Sequence, residues 1–247
     1  GSMDKRFFSR LGASDLNRSP LCGGVRSLSY SSMFGAAQGM SGQQMEFSDL
    51  IVVWGSNITV SNLHLTRCIN AAKKKGAKLI VIDPHKTQKA KQADLYLQVT
   101  PGADVLLALK LMATLKQKGA LNIEKVRYKV CGMDEYLKHL DQYLDVDLNK
   151  NCMISSEKFD QLVGLCANSK RLSLSIGVGL ERTRNGGAAI VAAQALPVLL
   201  GNLGELGQGI VGNFSPVFKG RAELQNKADR AGNGNRRVFN IVDIANH

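Results

Sequence analysis

The sequence predicts an α/β domain: a parallel sheet, doubly wound, with helices on both faces. Three observations predict it. The run Leu50-Ile-Val-Val-Trp54 is apolar at every position, as a strand covered on both faces must be. A second run, Leu79-Ile-Val-Ile82, follows after Val60, Leu63, Leu65, Ile69 and Ala72 have recurred at helical spacing and Gly76 has stopped them. Strand, helix and strand within about 35 residues make a right-handed βαβ unit with parallel strands. Later, Leu172-Ser-Leu-Ser-Ile176 repeats the pattern, with a glycine turn and a long helix of small residues behind it.

Taken in order, Gly-Ser-Met at 1–3 reads as an expression scar. Residues 4–48 form a lead segment rich in Ser, Gly and Met, with a short helix over 25–33 between Cys22-Gly-Gly24 and Phe34-Gly35. Residues 49–204 form the α/β domain. Its first strand stops at Gly55-Ser-Asn57, where Gly55 lets backbone approach a ligand. Ser56 and Asn57 cap the following helix, whose amides attract an anion. The second strand ends in Asp83-Pro84. A third, Ala93 to Val99, alternates and runs into Thr100-Pro-Gly-Ala-Asp104, ahead of an apolar helix from Val105 to Gln117. Helices over 123–130 and 133–143, and one opened by Ser155-Ser-Glu-Lys158, are scaffold. The strand at 172–176 ends in Gly177-Val-Gly179, before a helix over 186–200. Residues 205–247, rich in Gly and Asn, form an irregular extended arm toward a neighbouring domain, with a helix over 238–245.

At 247 residues and 44% apolar, the chain can bury a substantial core, and no apolar run is long enough to span a bilayer. A cytoplasmic protein with no membrane insertion is expected, or a periplasmic one if a leader precedes these residues. The net charge of +12 would suit nucleic acid, but its distribution does not. Lys73-Lys-Lys75 closes a helix, where cations complement the dipole, and with 6% aromatics there is no basic-aromatic stripe to stack bases. A small anionic ligand is the better partner. The five cysteines are odd in number and form no C-x-x-C, so neither a disulfide framework nor a structural zinc site is indicated. Cys68 and Cys166 lie on apolar helical faces and belong to the core.

Parallel strands place their carboxyl ends on one edge, where α/β proteins bind ligands. Gly55, Asn57, Asp83, Asp104 and Gly177 are therefore expected to line one continuous crevice. In Rossmann-like folds an acidic residue at the position of Asp83 accepts hydrogen bonds from a ribose. Asp-Pro is also a common turn opener, and any α/β domain needs strand-to-helix turns. The first turn lacks G-x-G-x-x-G, which weighs against an NAD-linked dehydrogenase.

As a set, Asp49-Leu-Ile-Val-Val-Trp-Gly-Ser-Asn57, Gly76-Ala-Lys-Leu-Ile-Val-Ile-Asp-Pro84, Ala93-Asp94, Pro101-Gly-Ala-Asp104, Gly177-Val-Gly179 and Leu200-Gly-Asn-Leu-Gly204 resemble the prokaryotic molybdopterin oxidoreductases, the group of dimethyl sulfoxide reductase and formate dehydrogenase. The resemblance covers residues 10 to 215 and implies one domain of a longer enzyme. Such an enzyme holds molybdenum (or tungsten) on two molybdopterin guanine dinucleotides and passes electrons to iron-sulfur clusters elsewhere. It further implies remaining domains of the same enzyme, an electron-transfer partner and a small-molecule substrate. The fragment alone would be inactive. By this resemblance Gly55, Ser56 and Asn57 cradle the pyrophosphate. Asp83, with Pro84, and Asp104, with Gly102, read the ribose or the guanine edge. Gly177 and Gly179 let the pterin end pass close to backbone, and Cys22 falls where the family places its protein ligand to the metal. A thiolate suits molybdenum as a soft donor.

Three departures stand out. Gly23 follows Cys22 where formate dehydrogenases have His, which disfavours formate. His85 replaces the Arg of the family's Asp-Pro-Arg. Lys219, in Pro216-Val-Phe-Lys-Gly220, replaces a catalytic-site Arg as a point charge without the bidentate fork. A non-catalytic relic of the fold, serving as a structural subunit of a respiratory complex, is the alternative; Cys22 argues against it.

Overall fold

The computed structural model describes residues 7–8, 10–17, 22–36, 39–211 and 237–246. The chain divides into two units, residues 1–25 with 214–247, and residues 26–213. In chain order the strands are β1 (Asp15–Asn17), β2 (Leu50–Trp54), β3 (Lys78–Ile82), β4 (Leu95–Leu97), β5 (Leu172–Ile176), β6 (Gly209–Val211) and β7 (Val238–Asn240). The principal helices are α1 (Gly23–Phe34), α2 (Leu63–Lys74), α3 (Asp104–Gln117), α4 (Met133–Leu140), α5 (Ser156–Ala167) and α6 (Gly186–Leu199).

The larger unit is built on a five-stranded parallel sheet in the order β4-β3-β2-β5-β6. All five residues of β2 are buried, as its unbroken apolar run requires. Its alternate residues serve two cores. Ile51 and Val53, with Leu79 and Val81 of β3, pack on Leu65, Cys68, Ile69 and Ala72 of α2. Trp54 turns to the opposite face and meets α3, which packs against α6. Burying each such aliphatic side chain stabilises by roughly 1.5–3 kcal/mol, so the two apolar faces of β2 anchor both helical layers. From β2 the chain proceeds through β3 to β4 on one side, then returns to build β5 and β6 on the other. That reversal makes the gap between β2 and β5 a topological switch point. The register pairs Trp54 with both Ile82 and Ile176, so three strands end level. Gly55, Asp83 and Gly177 follow them on one edge.

Several boundaries differ from expectation for identifiable reasons. The long helix does not start at the first turn: a single helical turn, Ile58–Ser61, is followed by Asn62 in a non-helical conformation, φ −151° and ψ 77°. Asn62 Oδ1 accepts the Leu65 N–H at 3.1 Å and so caps α2. The break resets the helical phase, leaving Val60 and Leu63 exposed. The domain also runs past residue 204, because Gly209–Val211 joins the sheet beside β5. Three residues between glycines give no periodicity to detect. In the smaller unit, Val238–Asn240 is a strand rather than a helix and pairs in parallel with β1, Leu16 opposite Phe239. Ser155 does cap α5, accepting from Lys158 N–H, and Cys68 and Cys166 are buried as expected. Among the described residues no helix is long and apolar enough to cross a membrane.

Candidate functional site

At the switch point the turns after β2 and β5 are stitched together through backbone. The Gly177 N–H donates to the Trp54 carbonyl at 2.8 Å and the Gly179 N–H to the Gly55 carbonyl at 3.0 Å. Gly55 has φ +61°, the left-handed region that favours glycine. A Cβ on Gly177 would lie 2.1 Å from the Gly55 carbonyl oxygen, and one on Gly179 2.8 Å from it. The glycines are required first by each other: they let two loops close to backbone contact. Beside that contact lies a niche of about 200 Å³. Ser56, Asn57, Ser61, Asn62 and Ser175 line it together with Gly55 and Gly177, and the apolar side chains of Ile58, Leu65, Ile176, Val178 and Val211 complete its wall. Among the described residues no Lys, Arg, Asp or Glu lines it, so the polar groups they offer there are hydroxyls, amides and backbone.

The acidic residues expected in the same crevice stand apart from this niche. Asp104 is 4% exposed, and its carboxylate accepts the indole N–H of Trp54 at 2.8 Å on the other face of the sheet. Burial pushes its pKa up, against the hydrogen bonds from Trp54 and the Asp104 and Gly102 amides. The first residue of a helix carries a carboxylate well, and here that carboxylate holds the end of β2 in place. Asp83 does lie on the carboxyl edge, level with Gly55. It is also buried, which raises its pKa, and its Oδ1 accepts the His85 N–H at 2.8 Å in a tight Asp-Pro-His turn. The continuous crevice is thus divided: Gly55, Ser56, Asn57 and Gly177 share one niche, and Asp83 and Asp104 lie outside it. For Asp104 the separation follows from its bond to Trp54, whose side chain lies on the face away from the niche, and for Asp83 from the tight turn that its carboxylate closes on the His85 N–H.

Of the other candidates, Pro84 is exposed and its carbonyl accepts from Gln98 Nε2 at 3.2 Å. Gly102 has φ +86° in the turn opening α3. Cys22 belongs to the smaller unit, is exposed, and has φ +51°. Lys219 lies outside the described residues. Among those residues no three His, Cys, Asp or Glu side chains cluster as a metal site.

Sequence reasoning missed Ser61, Asn62 and Ser175. A signal for Ser175 exists: Leu172-Ser-Leu-Ser-Ile176 is buried at every position, so its two hydroxyls form a polar row inside an apolar strand. Ser173 meets the Ser48 hydroxyl at 2.9 Å, whereas Ser175 faces the niche.

The molybdopterin oxidoreductase family model matches residues 3–244. A probable oxidoreductase of Bacillus subtilis, YoaE, is 28% identical over 98% of this chain and 35% of its own length. The F420-dependent formate dehydrogenase subunit alpha of Methanocaldococcus jannaschii is 30% identical over 68% of this chain and 25% of its own. Among solved structures, acetylene hydratase from Pelobacter acetylenicus shares the fold with a TM-score of 0.70 at 22% identity, over 85% of this chain and 29% of its own. The chain therefore spans about a third or less of the length of these relatives.

Proposed function

The chain belongs to the molybdopterin oxidoreductase family, and we propose that its sheet edge binds the guanine dinucleotide end of the molybdenum-pterin cofactor. The observation that carries this reading is the niche at the switch point, where the Gly55 and Gly177 turns meet. It fits the group in chemistry and in part in size. Hydroxyl and amide donors suit phosphate and ribose oxygens, and about 200 Å³ takes a phosphate-and-ribose length of a dinucleotide rather than all of it. The cradle also depends on missing side chains, since a Cβ on Gly177 would sit 2.5 Å from Ser56 Cβ.

In this reading Ser56, Asn57, Ser61, Asn62 and Ser175 hold the pyrophosphate and adjoining ribose by neutral hydrogen bonds. Gly55, Gly177 and Gly179 keep the wall low enough for close approach. Asp83, with Pro84 and Gly102 on the same edge, offers a carboxylate to a hydroxyl or to the N–H groups of the guanine. Asp104 acts on the same edge through Trp54, by fixing the residue before Gly55. Cys22 supplies a thiolate ligand to the metal, and Lys219 a positive charge for substrate. When bound, the molybdenum (or tungsten) centre supplies two-electron redox chemistry to a small-molecule substrate. The whole protein then works as an oxidoreductase with further domains, an iron-sulfur cluster and an electron-transfer partner.

Metal analysis of the full-length protein, together with titration of this chain with guanosine diphosphate, tests the reading. Trp54 is the only tryptophan, and its carbonyl accepts the Gly177 N–H, so movement of the Gly55–Gly177 contact on binding reaches its indole from the other face of the sheet. Molybdenum or tungsten near one atom per chain, and a saturable emission change that Ser175→Val weakens, are expected. No metal and no response to the nucleotide would leave a structural relic of the fold as the better reading.

A further inference from the structure

The buried face of α1 is polar. Arg26, Ser29 and Tyr30, at helical spacing, are its buried residues, where an apolar stripe would be usual. The Arg26 guanidinium donates to Glu181 Oε1, across 155 residues of sequence. The two side chains are 7% and 0% exposed. Around them, the Ser29 hydroxyl donates to the Gly187 carbonyl at 3.3 Å, and the side chains of Tyr30 and of Gln194 on α6 are buried. Among the described residues Glu181 Oε2, which is buried, has no hydrogen-bond partner.

As a source of stability this arrangement is poor. Removing two charges from water offsets most of their attraction, and an unsatisfied carboxylate oxygen adds to the cost. Apolar side chains of similar size would hold α1 as well or better. A directional pair instead fixes position, and the position of Glu181 matters. Glu181 closes the single helical turn Val178–Glu181 that begins at Gly177. The same turn is bonded to β2 through Gly177 and Gly179, and Leu180 covers Gly55 so closely that a Cβ there would lie 2.4 Å from Leu180 Cδ1. A shift of Glu181 therefore moves Gly177 and Val178, which wall the niche.

We propose that Arg26 and Glu181 are positioning residues: their buried ion pair clamps the Gly177–Glu181 turn onto Gly55 and so sets the shape of the nucleotide niche. The clamp is a property of this domain, and its effect on nucleotide rests on the function proposed above. Occupancy of the niche and docking of α1 are coupled in consequence, each stiffening the other.

The test uses the full chain with three variants, Arg26→Lys, Glu181→Gln, and the pair Arg26→Met with Glu181→Leu. Amide hydrogen exchange at residues 177–181, melting temperature, and affinity for guanosine diphosphate are measured on each. The apolar pair should melt within a few degrees of the parent, yet exchange at 177–181 about tenfold faster and bind nucleotide about tenfold more weakly. Arg26→Lys keeps the charge and loses the fork, and should fall between. Unchanged exchange at 177–181 in a folded apolar pair overturns the clamp. Should that pair fail to fold, unchanged exchange in both Arg26→Lys and Glu181→Gln overturns it equally. A parent chain that ignores nucleotide defeats the function proposed above and leaves the exchange comparison to decide the clamp.

Discussion

The indole N–H of Trp54 donates to the Asp104 carboxylate across 2.8 Å, joining the last residue of the central strand to the first residue of α3. Both residues are buried, so this bond closes one face of the sheet directly beneath the Gly55 turn. An acid whose pKa burial has raised is bound less favourably as its anion. The native state holds its proton more tightly than the unfolded chain does, and stability falls as pH rises from the usual carboxylate range through the folded pKa. Asp104→Asn removes that ionisation and keeps an acceptor for the indole. Its stability at pH 7 should lie within about 1 kcal/mol of the parent, with a flatter acid limb. Asp104→Leu leaves the indole unsatisfied and should cost about 1–3 kcal/mol. Urea unfolding followed by Trp54 emission at pH 4 to 8 separates the two; equal losses in both variants would contradict the acceptor role.

Two glycines should respond to alanine for opposite reasons. Gly177 has φ −95°, which any residue adopts, but a Cβ there meets the Gly55 carbonyl oxygen at 2.1 Å. Gly177→Ala must separate the two turns, and should cost more than about 2 kcal/mol together with the niche. Gly76 has φ +96° and nothing within 4 Å of a Cβ. Gly76→Ala should cost about 1–2 kcal/mol of backbone strain and leave nucleotide binding untouched. Parallel unfolding and binding measurements check the contrast.

Asp94 ties the amino end of the sheet. Burial pushes its pKa up, but hydrogen bonds from Lys73, the Leu79 N–H and Lys78 outweigh that and hold it at about 2, below the ordinary 3.8. A depressed carboxylate stabilises the fold above its unfolded pKa and loses that contribution as pH falls through the folded one. Because the residue is exposed to solvent, Asp94→Asn should cost only about 1 kcal/mol at pH 7. The difference should shrink between pH 4 and pH 2, in denaturation midpoints taken across that range.

Thiol accessibility divides the cysteines. Cys22 and Cys131 are exposed, whereas Cys68, Cys152 and Cys166 are buried, and burial pushes Cys152 to about 11 and Cys166 to about 12. Maleimide should modify the first two rapidly and the others only as fast as the domain opens. Mass spectrometry over time checks this, and Cys166 reacting as fast as Cys22 would refute the packing. Cys22→Ser in the full-length protein should in addition alter the metal's optical spectrum if Cys22 is its ligand.

The sequence by itself determined the layered architecture. An unbroken apolar run such as Leu50 to Trp54 satisfies only a strand covered on both sides, and its repetition at 79–82 and 172–176, with helical patterns between, leaves a parallel sheet as the economical solution. Strand order and register, by contrast, depend on contacts between segments far apart in the chain. No local pattern shows that Gly55 will meet Gly177, that Ser175 will face the niche rather than the core, or that Arg26 will find Glu181. Side-chain direction at a strand end is equally hidden, because one step of the pleat sends Trp54 and Asp104 to one face while the niche opens on the other. Periodicity records which residues leave water; only the tertiary structure decides which of them meet.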